Sequence, residues 1–265
     1  MSGTAPCPAA DDLFTIDDNK PELSAEDKER FHAMVAKLPF LSKRARPDIQ
    51  QAVAFLTTRV SKATEDDCSK LARVFRHLRG EPKLPLTLEC DNTHVVKWWI
   101  DASFGVHPDM KSHTGATMSM GKGSVHSSSV RQKLNARSST EAEVVAVNDM
   151  MPMTLWTRQF LEGQGYTTVD AELHQDNKSA MLLEQNGQAP SGKRTRHINL
   201  RHFFITDRVE SGEISIKHCP ADEMTADFFT KPLNGKKFAM FRTQMLNLQD
   251  GDLERCSSSQ ERVES

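Results

Sequence analysis

The first third of the chain repeats apolar residues with the 3.6-residue period of amphipathic helices. Three stretches follow this pattern: Ser24–Lys37, the run after Arg46-Pro47-Asp48, and Glu65–Leu78. Ser24 suits the N-cap of the first helix, Pro47 suits the first turn of the second, and Gly80 suits the end of the third. The pattern therefore predicts a small helical unit over residues 21–88.

From about Leu86 the period changes to the alternation of β-strands, interrupted by further helical stretches. Strands are predicted at 95–100, 114–120, 124–130, 169–174 and 213–218, and helices at 140–161, 177–188, 197–211 and 222–230. In this order the first three strands form an antiparallel meander, and the last two join as parallel strands through helical crossovers. The predicted fold class is α/β, with an RNase H-like mixed five-stranded sheet and flanking helices over residues 89–233. The helical unit precedes this domain, and a C-terminal helix at 234–247 follows it.

Composition limits what these elements can do. Residues 1–20 and 248–265 are polar and are predicted to be disordered. The formal net charge is −2 over 265 residues, so any nucleic-acid surface must come from local clusters of basic residues. Five scattered cysteines form no Cys-x-x-Cys pair, which argues against a zinc site and favours a reduced intracellular setting. No apolar run approaches the roughly 18 residues of a membrane span, and the first residues lack a signal-peptide pattern, so no membrane partner is expected.

Four acidic residues stand at the ends of predicted core elements. Asp101 follows the first strand, Glu143 lies near the start of the long helix, Asp176 follows the fourth strand, and Asp227 lies on the last helix of the domain. The carboxyl ends of neighbouring parallel strands meet at one sheet edge, where ligands collect. Carboxylates held close together repel one another, and their hard oxygen atoms suit Mg²⁺ or Mn²⁺. Two such ions could activate a water and stabilise the leaving oxygen of a phosphodiester.

Each acid also has a purely structural explanation. Asp101 can begin a turn, Asp176 can cap the next helix, and Asp227 can be a solvated helix residue. Glu143 stands three residues after Thr140, and Glu141 stands three after Ser138, so one of the two glutamates fits a capping box and the other is spare. These explanations are sufficient one at a time. They do not explain why all four acids fall where the edge of the sheet should form.

Five ordered motifs resemble the RNase H region of copia-type LTR retrotransposon polyproteins. They are Lys97-Trp98-Trp99-Ile100-Asp101-Ala102-Ser103, Ser138-Ser139-Thr140-Glu141-Ala142-Glu143, Gln175-Asp176-Asn177-Lys178-Ser179-Ala180, Arg194-Thr195-Arg196-His197-Ile198 and Ala226-Asp227-Phe228-Phe229-Thr230-Lys231-Pro232-Leu233. The helices that begin at Arg46-Pro47-Asp48-Ile49 resemble the segment that connects reverse transcriptase to RNase H in that family. The resemblance covers about residues 14–247. The protease, integrase and polymerase palm of such polyproteins have no counterpart in this sequence, so no polymerase activity is expected.

The resemblance implies that Asp101, Glu143, Asp176 and Asp227 are the catalytic, metal-binding acids. Two histidines are candidates for an assisting role. His218 stands nine residues before Asp227, and His197 belongs to the fourth motif. The sequence leaves open which of them takes part.

Two clusters of basic residues are candidates for contact with nucleic-acid phosphates, with salt-sensitive binding expected. The first comprises Lys193, Arg194, Arg196 and Arg201, and the second comprises Lys43, Arg44 and Arg46. The alternative for the first cluster is a solvated loop before a helix.

The function implied by the resemblance is that of a ribonuclease H, a metal-dependent endoribonuclease that cuts the RNA strand of RNA–DNA hybrids. Its expected partners are the hybrid and the rest of a retroelement polyprotein, and its expected location is the cytoplasm, a virus-like particle or the nucleus. The main alternative is a catalytically inactive retroelement remnant that keeps the fold and hybrid binding. A third possibility is an integrase-like or resolvase-like nuclease on the same fold, but those sites lack this set of motifs.

Overall fold

The computed structural model describes residues 2–166, 169–186 and 196–249, and the side chains of residues 186 and 196–202 lie outside that description. The described helices are α1 Ala25–Val35, α2 Leu38–Arg44, α3 Gln50–Thr57, α4 Glu65–Gly80, α5 Ser139–Gly163, α6 Lys178–Asn186, α7 Arg196–Glu210, α8 Asp227–Thr230 and α9 Gly235–Leu246, with a 3-10 turn at Pro47–Ile49. The described strands are β1 Glu89–Cys90, β2 Val95–Ser103, β3 His113–Ser119, β4 Gly121–Lys122, β5 His126–Arg131, β6 Asp170–Gln175 and β7 Ser215–His218. These residues divide into a helical unit (up to 88, 122–124, and from 231) and a sheet unit (89–121 and 125–230).

In the helical unit, side chains at the helix starts satisfy backbone donors that have no partner within the helix. The Ser24 hydroxyl accepts from the N–H of Asp27, at 3.2 Å, and begins α1. Thr64 and Asp67 form a reciprocal capping box at α4. The predicted helices are present, and the structure adds α2, which the sequence pattern missed because it is only seven residues long and contains Pro39 in its first turn.

The N-terminal segment packs against the helical unit, which differs from the predicted disorder of residues 1–20. Cys7 and Leu13 are buried, and the Phe14 ring meets the Phe55 ring edge-on with centroids 5.7 Å apart. The Arg73 guanidinium donates to the carbonyl of Cys7 at 3.2 Å. The segment is mostly polar, so composition predicts disorder, but its few apolar side chains find partners that are distant in sequence.

The C-terminal helix α9 belongs to the same helical unit. The Arg242 guanidinium pairs with Glu81 at 2.5 Å, and the His77 and Phe238 rings meet edge-on at 5.7 Å. Leu248, in the tail predicted to be disordered, is buried in a cluster with Leu84 and Leu246. Residues 250–265 lie outside the described residues, so for them the prediction of disorder stays a prediction.

The sheet unit confirms the predicted fold class. Its five strands lie in the order β5-β3-β2-β6-β7, with antiparallel pairs among β2, β3 and β5 and parallel pairs from β2 through β6 to β7. This is the predicted RNase H-like mixed sheet with flanking helices. β1 and β4 form a separate two-stranded pair. In the described part of the chain, no helix is both long enough and apolar enough to cross a membrane.

Alternation along β2 divides the sheet unit into two faces. Trp98 and Ile100 enter a buried core that also contains residues of α5, α6 and α7, and α5 runs unbroken through Pro152. Asp101 was predicted to follow the strand, but β2 continues to Ser103. Asp101 therefore lies within the central strand, on the face opposite to Ile100.

Candidate metal centre

The structure brings three of the four predicted acids together. One carboxylate oxygen each from Asp101, Glu143 and Asp176 lies within 4.8 Å of the other two. Asp101 comes from the central strand, Asp176 directly follows the neighbouring parallel strand β6, and Glu143 lies near the N-terminus of α5. Asp101 and Glu143 are buried, whereas Asp176 is half-buried. The result is an acidic group near the carboxyl ends of β2 and β6, and one of its members, Asp176, is partly open to solvent.

The two glutamates at the start of α5 have different roles. The Glu141 carboxylate accepts from the backbone N–H of Arg137 at 2.6 Å, and the Glu141 N–H donates to the Ser138 hydroxyl at 3.1 Å. Glu141 is thus the capping acid, which resolves the alternative that the sequence left open. Glu143 is the spare acid and turns toward Asp101 and Asp176.

Burial raises the pKa of Glu143 well above its usual range, and the negative charges of Asp101 and Asp176 raise it further. A hydrogen bond from the backbone N–H of Ala102 acts in the opposite direction. Three carboxylates this close cannot all be ionised at low cost unless a cation compensates for them. The donor set, all oxygen and rich in negative charge, fits a hard divalent cation such as Mg²⁺ or Mn²⁺.

Asp227 and the candidate histidines take other positions. Asp227 is buried at the start of α8 and is not part of the three-acid group. His218 is exposed at the end of β7, where its register partner is Gln175, the residue before Asp176. It therefore lies at the same end of the sheet as Asp176. The His197 side chain lies outside the described residues, so its role stays a prediction.

The predicted basic clusters are only partly described. Lys193 and Arg194, together with the side chains of Arg196 and Arg201, lie outside the described residues. In the helical unit, Lys43 and Arg44 are exposed on α2. Arg46 must be removed from that cluster.

The Arg46 guanidinium is buried and serves the interior of the helical unit. It donates to the two oxygens of Asp48, at 2.9 and 2.7 Å, and to the carbonyl of Glu81 at 2.8 Å. The sequence pattern could not show this, because a basic residue beside an acidic one reads equally well as a surface pair.

Two residues near the acids were missed by the sequence analysis. The Thr230 hydroxyl donates to the Asp101 carboxylate, although it lies on α8. Glu184 on α6 is fully buried, and burial raises its pKa well above the usual range. Its charge adds a minor contribution to the raised pKa of Glu143. Thr230 lies within a quoted motif, which was a usable signal, whereas nothing in the sequence marked Glu184.

The strand order and the acidic group together define an RNase H-like α/β domain. The homologues of this chain are retrovirus-related Pol polyproteins from copia-type transposons. It is 31% identical over 221 residues to the Pol polyprotein from transposon RE1 of Arabidopsis thaliana, an alignment that covers 83% of this chain and 15% of the relative. It is 26% identical over 218 residues to that from transposon TNT 1-94 of Nicotiana tabacum, covering 80% of this chain and 16% of the relative. The chain thus spans about 15% of the length of these relatives, and no protein-family model matches it.

The solved structures that align with about half of the chain include two RNase H1 enzymes. RNase H1 from the halophilic archaeon Halobacterium salinarum NRC-1 aligns with a TM-score of 0.35 and 16% identity, over 52% of this chain and 91% of that one. LC11-RNase H1 in complex with an RNA/DNA hybrid aligns with a TM-score of 0.36 and 15% identity, over 49% of this chain and 88% of that one.

Proposed function

We propose that this chain is the connection and RNase H part of a retrotransposon Pol polyprotein, and that it cuts the RNA strand of RNA–DNA hybrids. The observation that carries the proposal is the convergence of Asp101, Glu143 and Asp176 near the carboxyl ends of the adjacent strands β2 and β6. The homology to retrovirus-related Pol polyproteins supports the substrate class that the sequence motifs imply, an RNA–DNA hybrid. The rest of such a polyprotein is the proposed partner.

The three acids are the proposed ligands of Mg²⁺ or Mn²⁺, which would supply positive charge against the phosphate and an acidified water. The Asp101 carboxylate, on the central strand, accepts a hydrogen bond from the Thr230 hydroxyl. Glu143 is oriented by the N–H of Ala102. Asp176, half-buried, is the acid most open to an approaching phosphodiester.

Contacts to the hybrid away from the acids are proposed for the two basic clusters. Lys43 and Arg44 are exposed on α2 and offer charge in the helical unit. The basic run at residues 191–201 is the second proposed contact. Binding through such residues should weaken steeply as salt concentration rises.

Replacement of Asp176 by Asn tests the proposal. The change keeps the shape of the side chain but removes one negative charge, so hybrid cleavage in Mg²⁺ should collapse while the protein stays folded. Asp170→Asn is the matched control, because Asp170 is an exposed acid at the opposite end of the same strand. We expect the control to cleave at the rate of the parent protein.

The same assay separates the alternatives. Excess chelator should stop cleavage by the parent, and a plain DNA duplex should not be cut. An Asp176→Asn protein that cleaves at the parental rate, or a parent that cleaves in chelator, would contradict the proposed site. Hybrid binding without cleavage by the parent would instead favour the inactive remnant, and equal cleavage of duplex DNA would favour a nuclease of the integrase type.

A further inference from the structure

A row of three residues crosses the sheet beneath α8. Asp101 on β2 is the register partner of Gly115 on β3, and Gly115 is the register partner of Ser129 on β5. Paired residues on adjacent strands project to the same face of a sheet. Gly115 has no side chain, so this row leaves a gap between the side chains of Asp101 and Ser129.

The segment that includes α8 fills this gap. A Cβ atom added at Gly115 would lie 2.5 Å from Cγ2 of Thr230, 2.8 Å from the carbonyl oxygen of Ala226 and 2.9 Å from Cβ of Phe229. Two of these distances involve groups fixed to the backbone, which cannot move aside as a flexible side chain would. Glycine at this position therefore lets α8 lie directly against the backbone of β3.

Hydrogen bonds hold α8 on both sides of Gly115. On one side, the Ser103 hydroxyl donates to the Thr230 carbonyl at 3.1 Å. On the other side, the Ser129 hydroxyl donates to the Phe229 carbonyl at 2.8 Å. The last turn of α8 is thus attached to β2 and to β5 while resting on β3.

This attachment aims one side chain at the candidate metal centre. Thr230 is fully buried, and its hydroxyl donates to the Asp101 carboxylate. A hydrogen bond to a charged acceptor is stronger than one between neutral groups, so it restricts the rotation of that carboxylate. A hydroxyl also adds no positive charge, so it orients the aspartate without replacing the cation that the acids would bind.

We infer that Thr230 is a positioning residue that sets the orientation of the Asp101 carboxylate for metal binding, and that Gly115, Ser103 and Ser129 form the seat that holds it there. The inference rests on the proposed function, since it assigns Asp101 a metal. It goes beyond it by giving α8 a role in the site, although Asp227 is not part of the three-acid group.

The test compares three variants of the full chain by Mn²⁺ titration calorimetry. Thr230→Val removes the hydroxyl, and Thr230→Ser keeps it. Thr154→Val is the matched control, because Thr154 is equally buried in the same unit and its hydroxyl donates to a helix carbonyl, that of Met150. Loss of a hydrogen bond to a charged group should weaken Mn²⁺ binding about tenfold or more in Thr230→Val. Thr230→Ser and Thr154→Val should bind within about threefold of the parent.

If Thr230 has a purely structural role, Thr230→Val should lose melting temperature, as the control Thr154→Val does, and should keep the Mn²⁺ affinity of the parent. That result would overturn the inference. Should Thr230→Val fail to fold, Gly115→Ala serves as the second variant. It keeps every hydroxyl but displaces α8, and it should weaken Mn²⁺ binding in the same direction. Unchanged affinity in Gly115→Ala would likewise overturn the inference.

Cleavage assays on the same proteins separate this inference from the proposed function. Mn²⁺ binding by a parent that cuts no hybrid counts against the proposed function alone, because the inference is read from metal affinity. Absence of Mn²⁺ binding by the parent would overturn both. In an active parent, Thr230→Val should raise the metal concentration needed for half-maximal kcat without changing the KM for the hybrid.

Discussion

The helical unit and the sheet unit treat buried acids in opposite ways. In the helical unit each of three buried acids meets an arginine: Asp48 meets Arg46 at 2.7 Å, Glu81 meets Arg242 at 2.5 Å, and Asp67 meets Arg59 at 3.2 Å. In the sheet unit, Glu143 lies beside the carboxylates of Asp101 and Asp176. Charge is compensated within the chain in the first case and accumulated in the second.

This difference separates a structural use of charge from a functional one. A buried carboxylate that is paired keeps the fold intact, because either partner alone would be an uncompensated charge. A group of like charges works against folding, and such groups are typical of sites that need the charge for a ligand. The contrast within one chain therefore supports the three-acid group of the sheet unit, rather than the helical unit, as the candidate functional site.

The largest expected effect comes from breaking a compensated pair. Asp48→Asn should lower the free energy of unfolding by about 3–5 kcal/mol, because it leaves the buried Arg46 charge without its partner. Urea unfolding followed by far-UV circular dichroism measures this loss. Glu26→Gln is the control, since the exposed pair of Glu26 with Arg30 should contribute under about 1 kcal/mol.

The same pair predicts an acid sensitivity. Burial alone would raise the pKa of Asp48, but hydrogen bonds from His77 and Arg46 and the charge of Arg46 outweigh burial and lower it. A lowered folded-state pKa adds stability that is present above the ordinary aspartate pKa and is lost as pH falls toward the folded-state value. Asp48→Asn should therefore unfold with less dependence on pH below about pH 4. If the stability of Asp48→Asn depends on pH in this acidic range as strongly as that of the parent does, a structural role for this ion pair is contradicted.

The next effect comes from relieving the accumulated charge. Glu143→Gln should reduce hybrid cleavage by at least about 100-fold, since loss of a metal ligand should cost no less than loss of a residue that supports one. In chelator, however, the variant should be more stable than the parent at neutral pH. The raised folded-state pKa of Glu143 means that the unfolded chain releases its proton first, so the parent loses stability as pH rises above the ordinary glutamate pKa.

Glu141→Gln is the control for this substitution. Glu141 is the capping acid two residues away, so its replacement should leave cleavage near the parental rate. A Glu143→Gln protein that is less stable than the parent in chelator would show that Glu143 acts structurally.

A third effect concerns His107 and His113, which are connected by hydrogen bonds to Ser129, one of the residues that hold α8. The His107 Nε2 and His113 Nδ1 atoms are 2.9 Å apart, and His113 Nε2 lies 2.7 Å from the Ser129 hydroxyl. Burial lowers the pKa of His113 to about 3, with His107 adding to the effect, and burial lowers that of His107 to about 4, with Arg131 adding and Asp109 opposing. With both rings neutral, a consistent chain has His107 donating to His113, His113 to Ser129, and Ser129 to Phe229.

Neutral histidines contribute stability above pH 6.5 that falls away as pH drops toward 3–4, because the unfolded chain binds protons first. His113→Gln should reduce the pH slope of unfolding near pH 5 by about 1.4 kcal/mol per pH unit. Tryptophan fluorescence is the appropriate probe, since Trp98, Trp99 and Trp156 all lie in the sheet unit. A slope equal to that of the parent would mean that His113 is protonated in the folded protein.

The smallest effect tests the packing of the N-terminal segment. Phe14→Leu keeps an apolar side chain but loses the edge-to-face contact with Phe55, so it should cost about 1 kcal/mol. Amide hydrogen exchange in α3 should speed up, while tryptophan fluorescence, which reports the sheet unit, should not change. Unaltered exchange in α3 would mean that the segment contributes nothing to the helical unit.

Local sequence patterns predicted much of this structure. The alternation of apolar residues predicted the five strands of the sheet, and their spacing by helices predicted the parallel and antiparallel connections that the structure confirms. The motifs selected four acids before any geometry was known, and three of them, Asp101, Glu143 and Asp176, lie together in the structure. Strand ends were less accurate, because the continuation of β2 to Ser103 depends on pairing with β3 rather than on its own residues.

The sequence by itself thus determined the fold class, the order of the elements and three acids that lie together, because each of these leaves a local signal in periodicity or motif. Only the tertiary structure decided that Arg46 is an interior partner of Asp48, that residues near Phe14 are packed, and that Thr230 reaches Asp101 across 129 positions of sequence. Such contacts depend on which surfaces meet when the elements pack. Burial then decides whether a charge is solvated, paired or concentrated, and no local pattern records that choice.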